Sequence, residues 1–164
     1  IGGPLLLKIY ENRQKGYCDA LKDAGLKVDE SLIINNSLTR EEGTKAIQKI
    51  MQNQVKPDGI FCANDTSALS VIIYLKQIGI KVPEDIAIMG FSNEPFSEVV
   101  TPSISTVKQP GFEMGKKAAQ LIIQQIMYDN ADPVFKTIVM PTELIIRNSS
   151  KNIKKVWQIG RAHV

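Results

Sequence analysis

The chain has 164 residues, a net charge of +3, 43% hydrophobic and 23% charged residues, which suits one sizeable core of ordinary soluble composition. The tail from Lys151 holds Lys151, Lys154, Lys155 and Arg161 and no acid, so residues 1–150 are left at −1. A body so near neutrality carries no electrostatic footprint for nucleic acid or an anionic membrane. No apolar run approaches membrane-spanning length, no signal-peptide pattern is present, and Cys18 and Cys62 read as reduced, buried thiols rather than a disulfide framework.

Ile1-Gly2-Gly3-Pro4 reads as the end of a strand followed by a turn. A helix is expected over Glu11–Ala24, with Tyr10, Tyr17, Leu21 and Ala24 on one stripe and Gly25 ending it. Leu32-Ile33-Ile34 predicts a short strand. Thr39 and Glu42 form a capping-box pattern that opens a second helix, Arg40–Gln54, burying Ala46, Ile47, Ile50 and Met51. The central stretch holds two apolar runs, Gly59–Ala63 and Ile86–Gly90, around a helical pattern, Thr66–Ile78. The alternation argues a parallel sheet with helical crossovers, an α/β fold. From Ser97 the texture changes. Pro102 and Pro110 bracket Ser103–Gln109, an extended segment expected to leave this sheet. A helix over Phe112–Tyr128 follows, with Gly115, Ala118, Ala119, Ile122 and Ile126 on one face. Then come two β-rich runs, Phe135–Met140 and Glu143–Arg147, and a patternless basic tail, 151–164, read as a non-native extension.

Both central strands end in small polar residues, and ligands of open α/β sheets bind outside the carboxyl ends of the strands. Asn64, Asp65, Ser92 and Asn93 are therefore candidates for a cleft. Asn64 offers a donor and an acceptor to a ligand or serves the fold alone; Asp65 reads as the cap of the following helix. Phe91 is either a core aromatic or a stacking surface. Arg13 presents a planar fork of donors to a cleft, or is a solvated charge on a first helical turn. Gln109 closes the cleft from the crossing segment, or is a loop residue. Catalytic patterns are poor. His163, the only histidine, lies in the tail, and no phosphate-binding glycine motif or metal-ligand spacing occurs. No enzyme activity, cofactor or metal is expected. In the Thr66–Ile78 helix, Ala68, Val71, Ile72 and Leu75 suffice for the sheet face, leaving Leu69 and Ile73 for a second partner, either another helix of this chain or a second copy.

Taken together, Gly2-Gly3-Pro4, Arg13-Gln14-Lys15-Gly16-Tyr17, Pro57-Asp58-Gly59-Ile60-Phe61-Cys62-Ala63-Asn64-Asp65, Gly79–Ile86, Met89-Gly90-Phe91 and Pro102–Gln109 resemble the effector-binding domain of LacI/GalR-type bacterial transcription regulators. The resemblance covers about residues 1–150. It implies a periplasmic-binding-protein-like type I fold, with Rossmann-like subdomains around a cleft. Residues 1–103 would form most of the C-terminal subdomain and residues 104–150 a crossing segment, part of the N-terminal subdomain and a return. It implies a small-molecule effector, sugar or related, contacted by Arg13, Asn64, Phe91, Ser92, Asn93 and Gln109. Ser92 stands where sugar-binding members usually carry an aspartate. It further implies a cytoplasmic homodimer pairing through Leu69, Ile72 and Ile73, and operator DNA held by a helix-turn-helix absent from this chain. The alternative is a secreted sugar-binding protein of the same fold that feeds a transporter.

Overall fold

The computed structural model describes residues 1–127 and 137–151. In chain order these form α1 (Lys8–Asp23), a 3-10 turn (Glu30–Leu32), α2 (Arg40–Ile50), β1 (Gly59–Phe61), α3 (Asp65–Gln77), β2 (Ala87–Met89), α4 (Phe96–Val99), β3 (Thr106–Lys108), α5 (Gly111–Met127) and β4 (Glu143–Ile145).

The sheet is longer than its regular strands. β1 and β2 pair in parallel, from Gly59 opposite Ala87 to Phe61 opposite Met89. Along the other side of β1 lie the first residues: the Ile1 amine donates to Phe61 O (2.7 Å), and Ala63 N donates to Ile1 O (2.9 Å). Gly2 in turn bridges Asn35 in parallel. Beyond β2, Met89 bridges Ser105 and Ser92 bridges Lys108, again in parallel. The extended segments therefore lie in the order second, first, third, fourth, fifth. This is a doubly wound arrangement whose topological switch falls between Ile1-Gly2 and β1.

One helical layer supplies most of the core. α2 buries Gly43, Ala46, Ile47 and Ile50, and α3 buries Ala68, Val71, Ile72 and Leu75. The two helices approach closely because small residues meet there: a Cβ on Gly43 would sit 3.1 Å from both Ser67 Cα and Ser70 Cβ. Ile47, Leu75, Ile88 and Ile104 are fully buried in one cluster, each side chain stabilising the fold by about 1.5–3 kcal/mol. The caps expected at Thr39 and Gly25 are present. Thr39 Oγ1 accepts from Glu42 N (3.3 Å), and Gly25 takes a φ of 72° that glycine adopts freely.

Several expectations are corrected. Leu32 belongs to a 3-10 turn capped by the Asp29 carboxylate, so only the residues up to Asn36 run extended, bonded to Gly2. α2 stops at Ile50 rather than Gln54, where the apolar periodicity gives out and Lys56 Nζ donates to Met51 O (2.6 Å). Cys62 is buried, with burial pushing its thiol up to about 11, but Cys18 is only half-buried. Ser103–Gln109 does not leave the sheet at once; Ser105 and Lys108 bridge the end of β2 and the loop after it in parallel, while Thr106–Lys108 pairs antiparallel with β4 on its other side. Residues 137–140 form no strand, and the start of that expected run, Phe135-Lys136, lies outside the described residues, as do Tyr128 and residues 152–164 of the tail. α5 buries none of its residues; Phe112 and Ile126 are 79% and 75% exposed.

Gly90 closes β2 against α3. A Cβ there would collide with the Asp65 carboxylate and press on Ala68. Gly90→Ala should destabilise the protein by about 1–3 kcal/mol, the scale of core overpacking, read as a lower urea midpoint; an unchanged midpoint would show that this junction yields without cost.

Candidate functional site

The polar strand ends are built around a buried carboxylate. Asn64, not Asp65, caps α3: its Oδ1 accepts from Ser67 N (2.9 Å) while its Nδ2 donates to Leu38 O (3.0 Å). Asp65 is thereby freed to turn inward. It is fully buried, and its carboxylate accepts from Thr106 Oγ1 (2.7 Å) and from Glu94 N (2.8 Å). Burial pushes the Asp65 carboxyl above its ordinary value, and the bonds from Thr106 and Glu94 oppose that shift. The expectation that Asp65 is the helix cap fails for this reason.

The loop after β2 is held from both sides. Ser92 and Asn93 both take positive φ, 111° and 55°. Ser92 N donates to Val107 O (2.9 Å), and Asn93 N donates to Thr106 Oγ1 (3.2 Å). Arg147, on the returning segment, donates to Asn93 Oδ1 (2.9 Å), Ser97 Oγ (3.2 Å) and Ile104 O (2.9 Å). Ser149 is fully buried beside it. Its hydroxyl donates to Ile88 O (2.7 Å) and accepts from Ser105 N (2.8 Å).

Arg13 reaches this end of the sheet from α1. Its Nη1 donates to Ala63 O (2.6 Å), its guanidinium lies 3.7 Å from the centre of the Phe91 ring, and Tyr10 approaches at 5.4 Å. The side chain thus spans the carboxyl ends of β1 and β2 beside the topological switch. It is half-buried rather than solvated, and burial lowers its pKa, with Tyr10 opposing. Phe91 is likewise half-buried and serves as the ring under a cation rather than as a core aromatic.

The structure brings Arg13, Asn64, Phe91, Ser92 and Asn93 to one end of the sheet, and Gln109 follows Lys108, which bridges Ser92. The side chains differ in what they leave free. Asn64 uses both ends of its amide within the fold, and Asn93 has its carbonyl engaged by Arg147. Sequence reading missed Thr106, Arg147 and Ser149. The available signal was polar residues, Ser105 and Thr106, inside an apolar extended run. A separate cavity opens under α1, lined by Tyr10, Tyr17, Leu32, Ile33, Ile50 and Ile60; it shares Arg13 and Ala63 with the strand-end site, but most of its wall is apolar. No group of His, Cys, Asp or Glu suited to a metal occurs among the described residues. Of the helix positions considered for pairing, Ile72 lies in the chain's own core at 3% exposure, whereas Leu69 is half-buried and Ile73 is 41% exposed.

The profile of the periplasmic binding protein-like domain matches residues 4–150. The HTH-type transcriptional repressor CytR of Escherichia coli is 34% identical over 151 residues, covering 92% of this chain and 44% of that repressor. This chain is a periplasmic binding protein-like domain of the LacI type. The HTH-type transcriptional repressor PurR of Vibrio vulnificus is 30% identical, covering 87% of this chain and 42% of the repressor. Among solved structures, the transcriptional regulator CelR–cellobiose complex superposes with a TM-score of 0.84 at 31% identity, covering 92% of this chain and 45% of that one. A LacI-family regulatory protein of Chloroflexus aggregans gives 0.82 at 28% identity, over 91% of this chain and 53% of that one. The LacI-type domain described here therefore spans about half the length of these relatives, which are transcriptional repressors and regulators. They lend no support to the transporter alternative. No helix among the described residues is long and apolar enough to cross a membrane.

Because the Asp65 carboxyl titrates higher in the fold than in the open chain, its contribution to stability is complete at low pH and is lost as pH rises from its ordinary value of 3.8 through the raised one. Asp65→Asn should destabilise by about 1–3 kcal/mol, since the amide satisfies only one of the two donors. The difference from wild type should shrink with rising pH across that window, measured by urea unfolding. A difference that grows with pH would show that the carboxyl is not raised.

Proposed function

We propose that this chain is the effector-binding and dimerisation part of a cytoplasmic, DNA-binding LacI-type transcriptional regulator. The observation that carries the reading is the Arg13 guanidinium lying across the ends of β1 and β2 on the face of Phe91, where a small molecule in the cleft would meet it. Asn64, Ser92, Asn93 and Gln109 complete the wall, and the effector is a sugar or a related small molecule. The fold shared with a cellobiose-bound regulator supports that class. Residues 1–103 form the C-terminal subdomain, and residues 104–150 cross into the N-terminal subdomain and return. The uncovered apolar face of α5, including Ile122 and Ile126, seats the remainder of that second subdomain. Effector binding shifts the balance between two subdomain arrangements, and so changes how a dimer presents its helix-turn-helix heads to operator DNA.

In the complete protein, Arg13→Ala should weaken effector binding by about 1.5–3 kcal/mol, the scale of a hydrogen bond to a charged group. Calorimetry decides this; unchanged affinity removes Arg13 from the site.

The homodimer pairs through Leu69 and Ile73 on the outer side of α3, a two-fold contact in which each meets its counterpart. Leu69→Lys combined with Ile73→Lys should give a folded monomer that keeps effector binding but loses tight operator binding. A dimer of undiminished stability in sedimentation would place the interface elsewhere.

A further inference from the structure

The loop after β2 places two residues of the strand-end wall in a backbone form that must be held from outside. Ser92 and Asn93 stand side by side at φ 111° and 55°. Asparagine enters the left-handed region with some ease, whereas serine does so rarely. Such a pair persists only where its surroundings over-determine it. Among the described residues, the hydrogen bonds that fix Ser92 and Asn93 all come from the two segments that connect to the second subdomain in the reading above. Ser92 N donates to Val107 O and Asn93 N to Thr106 Oγ1, both on the crossing segment. Arg147, on the returning segment, donates to Asn93 Oδ1.

Arg147 is half-buried and enters none of the five ion pairs among the described residues. Its fork closes instead on neutral oxygens from three pieces of chain. Nη2 meets Asn93 Oδ1, while Nη1 meets Ser97 Oγ on α4 and Ile104 O on the crossing segment. A planar guanidinium spans acceptors set apart in this way, which the single point of an ammonium does not. The backbone beneath the side chain is fastened too. Arg147 N donates to Ser105 Oγ (2.8 Å), which donates in turn to Arg147 O (3.1 Å), and Ser149 N donates to Ser103 O (2.9 Å). The main chain at Arg147 therefore follows the crossing segment, and its guanidinium sets Asn93. A slip of one connecting segment along the other breaks either this seam or the fork.

We propose that Arg147 is a positioning residue for the effector site: it holds Asn93, and with it Ser92, in the shape that meets the effector, and makes that shape depend on how the two connecting segments lie together. Arg147 acts through Asn93 rather than by contact with the effector. The subdomain arrangement that seats the fork is the one with the formed wall, and effector binding favours it. This deepens the reading of the chain as an effector-binding part and rests on it.

The test uses the complete protein with Arg147→Met and Arg147→Lys. In the Met variant the amides of Ser92 and Asn93 should exchange about tenfold faster or more, the scale of one lost hydrogen bond to a charged group. The amides of α2 should keep their wild-type rates. The Lys variant keeps the charge without the fork, and the same two amides should quicken. The site itself is probed with the small-molecule fraction of a bacterial extract passed over each immobilised protein, the retained compounds being identified by mass spectrometry. The Met variant should retain the wild-type compounds about tenfold less; if it fails to fold, the Lys variant carries both readouts. Unchanged exchange at Ser92 and Asn93, a quickening shared equally by α2, wild-type exchange in the Lys variant, or undiminished retention would each overturn the proposal. A wild-type protein that retains no compound overturns the effector-binding reading beneath it, whereas exchange judges the positioning separately.

Discussion

The Asp65 carboxylate is the interaction on which the strand-end architecture depends. It sits at the first position of α3, fully buried, and holds the loop after β2 through Glu94 N and the crossing segment through Thr106 Oγ1. A buried carboxylate is costly to leave unsatisfied, so the two donors must stay in place. That requirement fixes three separate pieces of chain relative to one another. It also explains Gly90: any side chain there would occupy the carboxylate's space.

From this junction the constraint spreads outward through polar groups rather than through the apolar core. Thr106 carries the hydroxyl that bonds Asp65 and also receives Asn93 N, which sets the backbone of Ser92-Asn93 in its positive-φ form. Arg147 then ties Asn93 to α4 and to the crossing segment, and Ser149 stitches the returning segment onto β2. Arg13 and Phe91 stand at the rim of this network and belong to different elements. Their stacking depends on β1 and β2 keeping their parallel register. The apolar layer of α2 and α3 supports that register from below, so the packing at Ile47, Leu75 and Ile88 is felt at the rim.

Much of the fold was legible in the sequence because it rests on local signals. The apolar runs at Gly59–Ala63 and Ile86–Gly90, the capping pattern at Thr39 and the glycine stop at Gly25 each specify an element within a few residues. The placement of Asn64, Ser92 and Asn93 at one sheet end followed from strand direction, whereas Arg13, on α1, was assigned to it only through the family resemblance. What sequence did not reveal depends on long-range partners. Asn64 and Asp65 are adjacent and both able to cap a helix, and only the distant Thr106 and Glu94 decide that Asn64 caps while Asp65 turns inward. Arg147 looks like any charged residue near a strand end until Asn93, Ser97 and Ile104 are placed around it. Hydrophobicity alone predicts a strand at Leu32, but Asp29 caps a 3-10 turn there. The α5 stripe was recognised, yet the described residues provide it no partner surface.

The central claim is that the strand ends around Arg13 and Phe91 receive the molecule that governs DNA binding. Hydrogen exchange on the complete protein, with and without a compound that changes its operator affinity, tests this most directly. Protection should concentrate in peptides carrying Arg13, Ala63–Asp65, Phe91–Glu94 and Lys108-Gln109, while α2 remains unchanged. A compound that alters operator affinity but leaves those peptides exchanging as before, with protection arising elsewhere, would contradict the account.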